Sequence, residues 1–310
     1  MADDIPFDRA FDAVPGKAET VAPNVRRVLA PNPGPFTFTG TCSYIVGAGT
    51  VAVIDPGPDD QRHVAALAEA LRGETVAHIL ATHSHSDHTG AVPALKALTG
   101  AKVLAEGPHR LARPLHADEP GGLEAGRDLK FMPDQRLADG QRVEGQGYAL
   151  EAITTPGHAA NHLCFALKGT DILFSGDHVM AWSTPVVAPP DGSMGDYMRS
   201  LRKLRARFER TYFPGHGGPV RNAPAFVDRY IAHRAGREAA ILRALSRGET
   251  DIPSLVRAIY IGLDPRLAGA AGLSVFAHLE DLVQRGVVAT DGDPALTGRY
   301  RLSVPAGARP

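Results

Sequence analysis

The spacing of apolar positions divides the chain into short strands alternating with helices up to about residue 220, and mostly helices beyond it. Residues 1–35 carry Pro6, Pro15, Pro23, Pro31, Pro33 and Pro35, a density that predicts surface-wrapping chain without strand or helix. Two β-branched runs follow, Tyr44-Ile45-Val46 and Val51-Ala52-Val53-Ile54. Gly47-Ala48-Gly49 joins them as a hairpin, and Asp55-Pro56-Gly57-Pro58 ends it. Residues 61–72 have helical spacing through Val64, Leu67, Ala68 and Leu71, with Gly73 as the stop. Residues 78–81 form a short buried strand that runs into His83-Ser84-His85-Ser86-Asp87-His88. A helix over 91–100 and strands at 102–104, 148–153, 162–167, 171–174 and 211–213 complete the pattern, with a basic amphipathic helix at 198–207.

After residue 222 the pattern changes. Asn222 can cap a helix with Pro224 in its first turn, running to Gly248 on Phe226, Val227, Tyr230, Ile231, Ile241, Leu242 and Leu245. Helices near 254–260 and 274–285 precede strands at 287–289 and 300–304 around an Asp291-Gly292 turn. Helix, helix and a two-stranded wing is the order of a winged-helix module. The expected division is therefore 1–222 and 223–310.

Composition narrows the class without choosing a function. The chain has 310 residues, 44% hydrophobic and 22% charged, which is ordinary for a globular protein with a large core. Lys+Arg 33 against Asp+Glu 34 leaves a formal charge of −1, so no global field attracts nucleic acid or membrane. Two cysteines, Cys42 and Cys164, are too few for a disulfide framework and fit a reducing compartment. The first residues are acidic and Pro-broken, unlike a signal peptide, and no apolar run approaches the ~20 residues of a membrane helix. A cytoplasmic protein with no membrane partner is expected.

The 13 histidines are informative through their placement. Imidazole and carboxylate are the usual zinc ligands outside thiolate sites. In the His83–His88 run, alternate residues of a tight loop can turn two imidazoles to one ion, while Asp87 and His88 face a second. Packing calls for apolar side chains after a buried strand, so four such residues in six resist a structural explanation. Three more candidates each follow a strand on a glycine-bearing turn: Pro156-Gly157-His158, Ser175-Gly176-Asp177 and Pro214-Gly215-His216-Gly217. Singly each is weak, since a histidine beside glycine is usually a surface or supporting residue. Together they repeat one design. Two divalent ions side by side can bring water to hydroxide at neutral pH and stabilise developing negative charge, with Asp87 placed to orient that hydroxide and take its proton. No nucleophilic serine or cysteine is needed, and Cys164 within Leu163-Cys164-Phe165-Ala166 reads as core.

These residues resemble the metallo-β-lactamase superfamily over roughly residues 20–220. The resemblance implies an αββα sandwich carrying two zinc ions, with a C-terminal winged-helix-like domain behind it. His83, His85 and His158 would hold one ion and Asp87, His88 and His216 the other, with Asp177 between them. The aspartate at 177 implies the thioesterase, phosphodiesterase and nuclease branches rather than true β-lactamases, which usually carry cysteine or serine there. Asn32-Pro33-Gly34-Pro35, Gly40-Thr41-Cys42-Ser43-Tyr44, Asn161-His162, Gly176-Asp177-His178 and Asp196-Tyr197-Met198 are similar to the beta-lactamase-like protein 2 group, which also has a winged-helix tail. Its members are endoribonucleases on single-stranded RNA. The chain departs from that group at Cys42-Ser43, where the group often has Asn-Thr.

The residues by themselves support RNA weakly. Residues 221–310 hold 12 Arg, no Lys and nine acidic residues, a modest excess. Arg199, Arg202, Lys203, Arg205 and Arg207 form a denser cluster that is equally a solvated helix face or a phosphate contact. Aromatic residues are 6%, too few to mark a base-stacking platform. The first expectation is a dinuclear zinc hydrolase of single-stranded RNA. The alternative is a glyoxalase-II-like hydrolase of a small thioester or ester, and a β-lactamase or a DNA-binding metal sensor ranks below both. Trp182 and residues 185–190 are expected to wall the pocket. His162 and His178 are read as supporting residues rather than ligands, and His63, His109, His116, His233 and His278 as surface or packing residues.

Overall fold

The computed structural model describes residues 5–116, 119 and 126–303. Its first sheet runs in spatial order β1 (Ala18–Ala22), β2 (Val25–Leu29), β3 (Cys42–Ala48), β4 (Thr50–Ile54), β5 (Thr75–Leu80), β6 (Lys102–Ala105) and β7 (Gln135–Arg136). β1 to β4 are antiparallel, and β4 to β7 pair in parallel. The second sheet is ordered β13 (Val220–Arg221), β12 (Thr211–Pro214), β11 (Ile172–Gly176), β10 (Leu163–Leu167), β9 (Tyr148–Thr154) and β8 (Arg142–Gly145).

Both sheets are covered on both faces, and the strand periodicity shows how. Tyr44, Val46, Ala52 and Ile54 meet Leu150, Leu163, Phe165, Phe174 and Phe213 between the sheets. The alternate residues Ile45, Val51 and Val53 pack outward under α1 (Gln61–Ala70) and under α3 (Val92–Thr99), which follows the one-turn α2 (Ser86–Thr89). Cys164 and Ala166 pack outward under α4 (Met194–Arg205) and the first half of α5 (Ala223–Ser246). The four layers are helix, sheet, sheet and helix, as expected.

The proline-rich start is the clearest departure. Residues 18–29 form β1 and β2, with Val25, Val28 and Leu29 at most 1% exposed. Pairing of the whole of β2 with Cys42–Val46 of β3 outweighs the local proline signal. Pro15 and Pro31 lie outside the strands and Pro23 in the turn between them, where no ladder N–H is needed.

The tail is α6 (Ile252–Ile259), α7 (Ala268–Gln284), β14 (Val288–Thr290) and β15 (Tyr300–Leu302), which together form the winged helix. Val304, expected in the last strand, lies outside the described residues. Asn222 does occupy the N-cap of α5, in a left-handed conformation with φ 51°, but its side chain makes no capping bond. α5 joins two cores: Phe226, Val227 and Tyr230 pack with α4, whereas Ile241, Ala244 and Leu245 pack with α6 and α7. Among the described residues no helix is long and apolar enough to cross a membrane.

Phe165 is fully buried between the sheets, whereas Phe208 is 61% exposed. Phe165→Ala should lower the unfolding free energy by about 3–5 kcal/mol in urea titrations, against about 0.5 kcal/mol or less for Phe208→Ala. Equal effects would mean that the inter-sheet core does not hold the sandwich together.

Candidate metal centre

All seven side chains singled out in the sequence meet at one end of the sandwich. β5 delivers His83 and His85, α2 carries Asp87 and His88, and β9, β11 and β12 lead to His158, Asp177 and His216. His85 Nδ1 lies 3.0 Å from His83 Nε2 and 3.1 Å from His158 Nε2. On the other side, His216 Nε2 is 3.2 Å from Asp87 Oδ2 and 3.3 Å from Asp177 Oδ2, and His88 Nε2 is 3.5 Å from a carboxylate oxygen of each. Asp177 sits between the two halves, with Oδ2 also 3.7 Å from His158 Nε2.

In four of the five rings the far nitrogen explains why the near one faces inward. His158 Nδ1–H donates to Val186 O at 2.7 Å, and His216 Nδ1–H donates to Gly40 O at 3.2 Å. His88 Nδ1–H donates to Asp55 Oδ2 at 2.9 Å. His83 Nδ1 meets Thr82 Oγ1 at 3.0 Å, and that hydroxyl donates onward to Asp55 at 2.8 Å. A proton held at Nδ1 leaves the Nε2 lone pair free toward the centre.

Asp55 was missed in the sequence, where it served only to end a strand. Its carboxylate also accepts the Thr82 N–H at 2.7 Å, and its backbone is left-handed at φ 51°. The available signal was its position, because Asp55 leaves the end of β4 as the ligands leave theirs.

Close approach accounts for a glycine beside His216. A Cβ at Gly215 would lie 2.6 Å from both Asp177 Oδ1 and His88 Cε1, inside the cluster itself. Beyond it, Phe38 and Trp182 stack at 4.9 Å over Gly217. Trp182 was expected at the wall, but Phe38 was not. Its φ of 56° is an uncommon conformation that holds the ring in place.

The supporting histidines divide by contact. Asp177 N–H donates to His162 Nε2 at 3.2 Å, and His162 Nδ1 pairs with Thr155 Oγ1 at 2.9 Å, so His162 positions the aspartate loop. His178 is buried against Tyr197, with ring centroids 4.5 Å apart. His63 is buried and bonded to Ser43 at 2.9 Å, a packing role. His109 reaches Ser84 Oγ at 3.3 Å and so lies behind the His83–His85 turn, closer to the centre than expected of it. Cys164 is core, its thiol pushed up to about 12 by burial.

Burial, reinforced by the neighbouring imidazoles, holds His83 well below its ordinary value and His85 down to about 3, so both rings are neutral lone-pair donors. Burial acts the same way on His88 and His216 but is outweighed by the carboxylates around them. His88 is raised by Asp87, Asp177 and Asp55, and His216 is raised to about 9 by Asp177 and Asp87. That concentration of negative charge is what would hold a divalent cation. His83, His85 and His158, then His83, His88 and Asp177, then Asp87, His88 and His216 each bring ligand atoms within 4.8 Å of one another. An all-nitrogen-and-oxygen donor set of imidazoles and carboxylates fits zinc-type ions.

Residues 36–216 match the Metallo-beta-lactamase superfamily, and residues 252–299 match the Beta-lactamase associated winged helix domain. The chain belongs to the metallo-β-lactamase superfamily, and its tail is the winged helix associated with that fold. It is 30% identical over 310 residues to the Lactamase-like protein adaB of Aspergillus niger, covering 94% of this chain and 90% of that protein. It is 35% identical over 236 residues to the Atrochrysone carboxyl ACP thioesterase AgnL7 of Paecilomyces divaricatus, covering 75% and 68%. A solved metallo-beta-lactamase family protein from Thermus thermophilus superposes with a TM-score of 0.73 at 25% identity, covering 91% of this chain and all of that one.

Asp55→Asn keeps the shape but replaces the acceptor of His88 Nδ1–H and Thr82. Zinc affinity measured by chelator competition should fall about 10- to 100-fold. An unchanged affinity would show that the ring orientation does not depend on this carboxylate.

Proposed function

We propose that the chain is a thioester hydrolase with a dinuclear zinc-type centre, His83, His85 and His158 holding one ion, Asp87, His88 and His216 the other, and Asp177 shared. The observation that carries the reading is the joint one: a full set of nitrogen and oxygen ligands in a chain 35% identical to a protein named as an acyl-carrier-protein thioesterase. This supports the thioester alternative over single-stranded RNA.

The charge pattern agrees. Of the basic cluster on and after α4, Arg199 pairs with Asp196, Lys203 with Asp139, Arg205 with Asp228, and Arg207 with Glu151 and Glu209. Cations neutralised by their own neighbours are poor contacts for a phosphate backbone. The family resemblance also sets the aspartate at 177 apart from true β-lactamases.

When bound, the ions would supply Lewis acidity toward water and the carbonyl oxygen. The protein supplies the rest. Asp87 is the more open of the two central carboxylates, its side chain 26% exposed against 9% for Asp177. Its Oδ2 is therefore placed to orient the attacking water and accept a proton from it. Water adds to the thioester carbonyl, the C–S bond breaks, and that proton leaves with the thiol, giving a carboxylic acid. The Phe38–Trp182 stack beside His216 offers an apolar wall for the acyl group.

Asp87→Asn should lower turnover of an acyl thioester by about 10²- to 10⁴-fold in a thiol-release assay. The same wild-type preparation should leave labelled single-stranded RNA and a β-lactam intact. Cleavage of RNA with thioesters untouched would overturn the reading.

A further inference from the structure

α5 reaches the centre through two side chains four residues apart on one face, Tyr230 and Arg234. Both are buried, Arg234 to 3% exposure. Arg234 Nη2 donates to Pro185 O at 2.7 Å, and Nη1 donates to Ser274 Oγ of α7 at 3.4 Å. Its guanidinium lies 5.2 Å over the Tyr197 ring. Tyr197 in turn donates its hydroxyl to His178 O at 2.8 Å, one residue after Asp177. The Tyr230 hydroxyl is shared between Met180 O at 2.6 Å and Ser183 O at 2.7 Å, and it accepts Met180 N–H at 3.3 Å.

The bonds to Pro185, His178, Met180 and Ser183 all fall on segment 178–187, which follows Asp177 and carries Val186, whose carbonyl holds His158 Nδ1–H at 2.7 Å. The Arg234 bond lies one residue before that carbonyl. Among the described residues no carboxylate pairs with Arg234, although a buried guanidinium is costly to desolvate and is usually retained with an anionic partner. Nη2 goes to a backbone carbonyl and Nη1 to a hydroxyl instead, while the buried Nε–H has no partner among the described residues. An apolar side chain such as methionine could occupy the space without that cost, so packing alone does not account for an arginine.

We infer that Arg234 is a positioning residue for the centre: by fixing Pro185 O it sets the Val186 carbonyl that orients His158, and it makes the helix entering the winged-helix domain part of the ligand mount. Tyr230 serves the same segment from the Asp177 side. The inference rests on the metal reading of the seven ligands. The C-terminal domain is then a support for the His83–His85–His158 half of the centre, with no nucleic-acid contact required of it.

The test uses the full chain, stripped with a chelator and titrated with cobalt(II), whose visible spectrum reports ligand geometry. Wild type should take up two equivalents. Arg234→Met, which keeps much of the length but loses the fork, should bind one of them about 10- to 100-fold more weakly, with an altered spectrum. The melting temperature of its metal-free form should stay at or above that of wild type. Arg234→Lys, which can still donate to one carbonyl, should recover part of the affinity. Tyr230→Phe, a near-isosteric change, should weaken binding several-fold and keeps the test open if Arg234→Met does not fold. Unchanged cobalt affinity and spectrum in Arg234→Met, or a loss matched by an equal loss in the metal-free melting temperature, would overturn the inference. A wild-type chain that binds no cobalt would overturn the metal reading itself.

Discussion

The arrangement depends on a single constraint: an imidazole that turns its Nε2 lone pair inward is held there by a fixed acceptor for its outward Nδ1–H. Four rings are held in this way, His83 through Thr82, His88 by Asp55, His158 by Val186 O and His216 by Gly40 O. Two of these acceptors are backbone carbonyls in loops, so the loops must be as rigid as the sheets. Gly40 belongs to the turn that carries the strained Phe38, and Val186 belongs to the segment clamped by α5. The fold serves the site by placing strand ends, where ligands leave, next to loops that hold those ligands in orientation.

The fold was legible where a pattern repeats. Tyr44 to Val46 and Val51 to Ile54 alternate between two covered faces, and the strand ends leading to His158, Asp177 and His216 are each marked by glycine. Residues 18–29 were illegible because their pairing is tertiary: β2 is a strand by virtue of β3, against a background of prolines. The seven converging side chains could be read because their residue types are costly to bury without a purpose. Their supports could not. Asp55 resembles any strand-ending aspartate until His88 is seen beside it, and a backbone carbonyl such as Val186 O has no sequence signature at all. Phe38 and Arg234 likewise gain meaning only from contacts more than 40 residues distant in the chain.

Chemistry and substrate separate along the same line. The donor set defines a hydrolytic class that many superfamily branches share, whereas substrate choice lies in the walls. Here four of the five cations of the basic cluster, Arg199, Lys203, Arg205 and Arg207, pair with neighbouring carboxylates, and the wall beside His216 is aromatic. Both features support the proposed thioester substrate over a phosphodiester. α5 packs in both cores, and its Tyr230 and Arg234 bond to the segment that follows Asp177.

The most direct test is the metal content of purified protein by elemental analysis, on wild type and on Asp177→Ala. A carboxylate shared between two triads predicts about two zinc-type ions per chain in wild type and one or fewer in the variant. Two ions retained in Asp177→Ala, or none in wild type, would contradict the account.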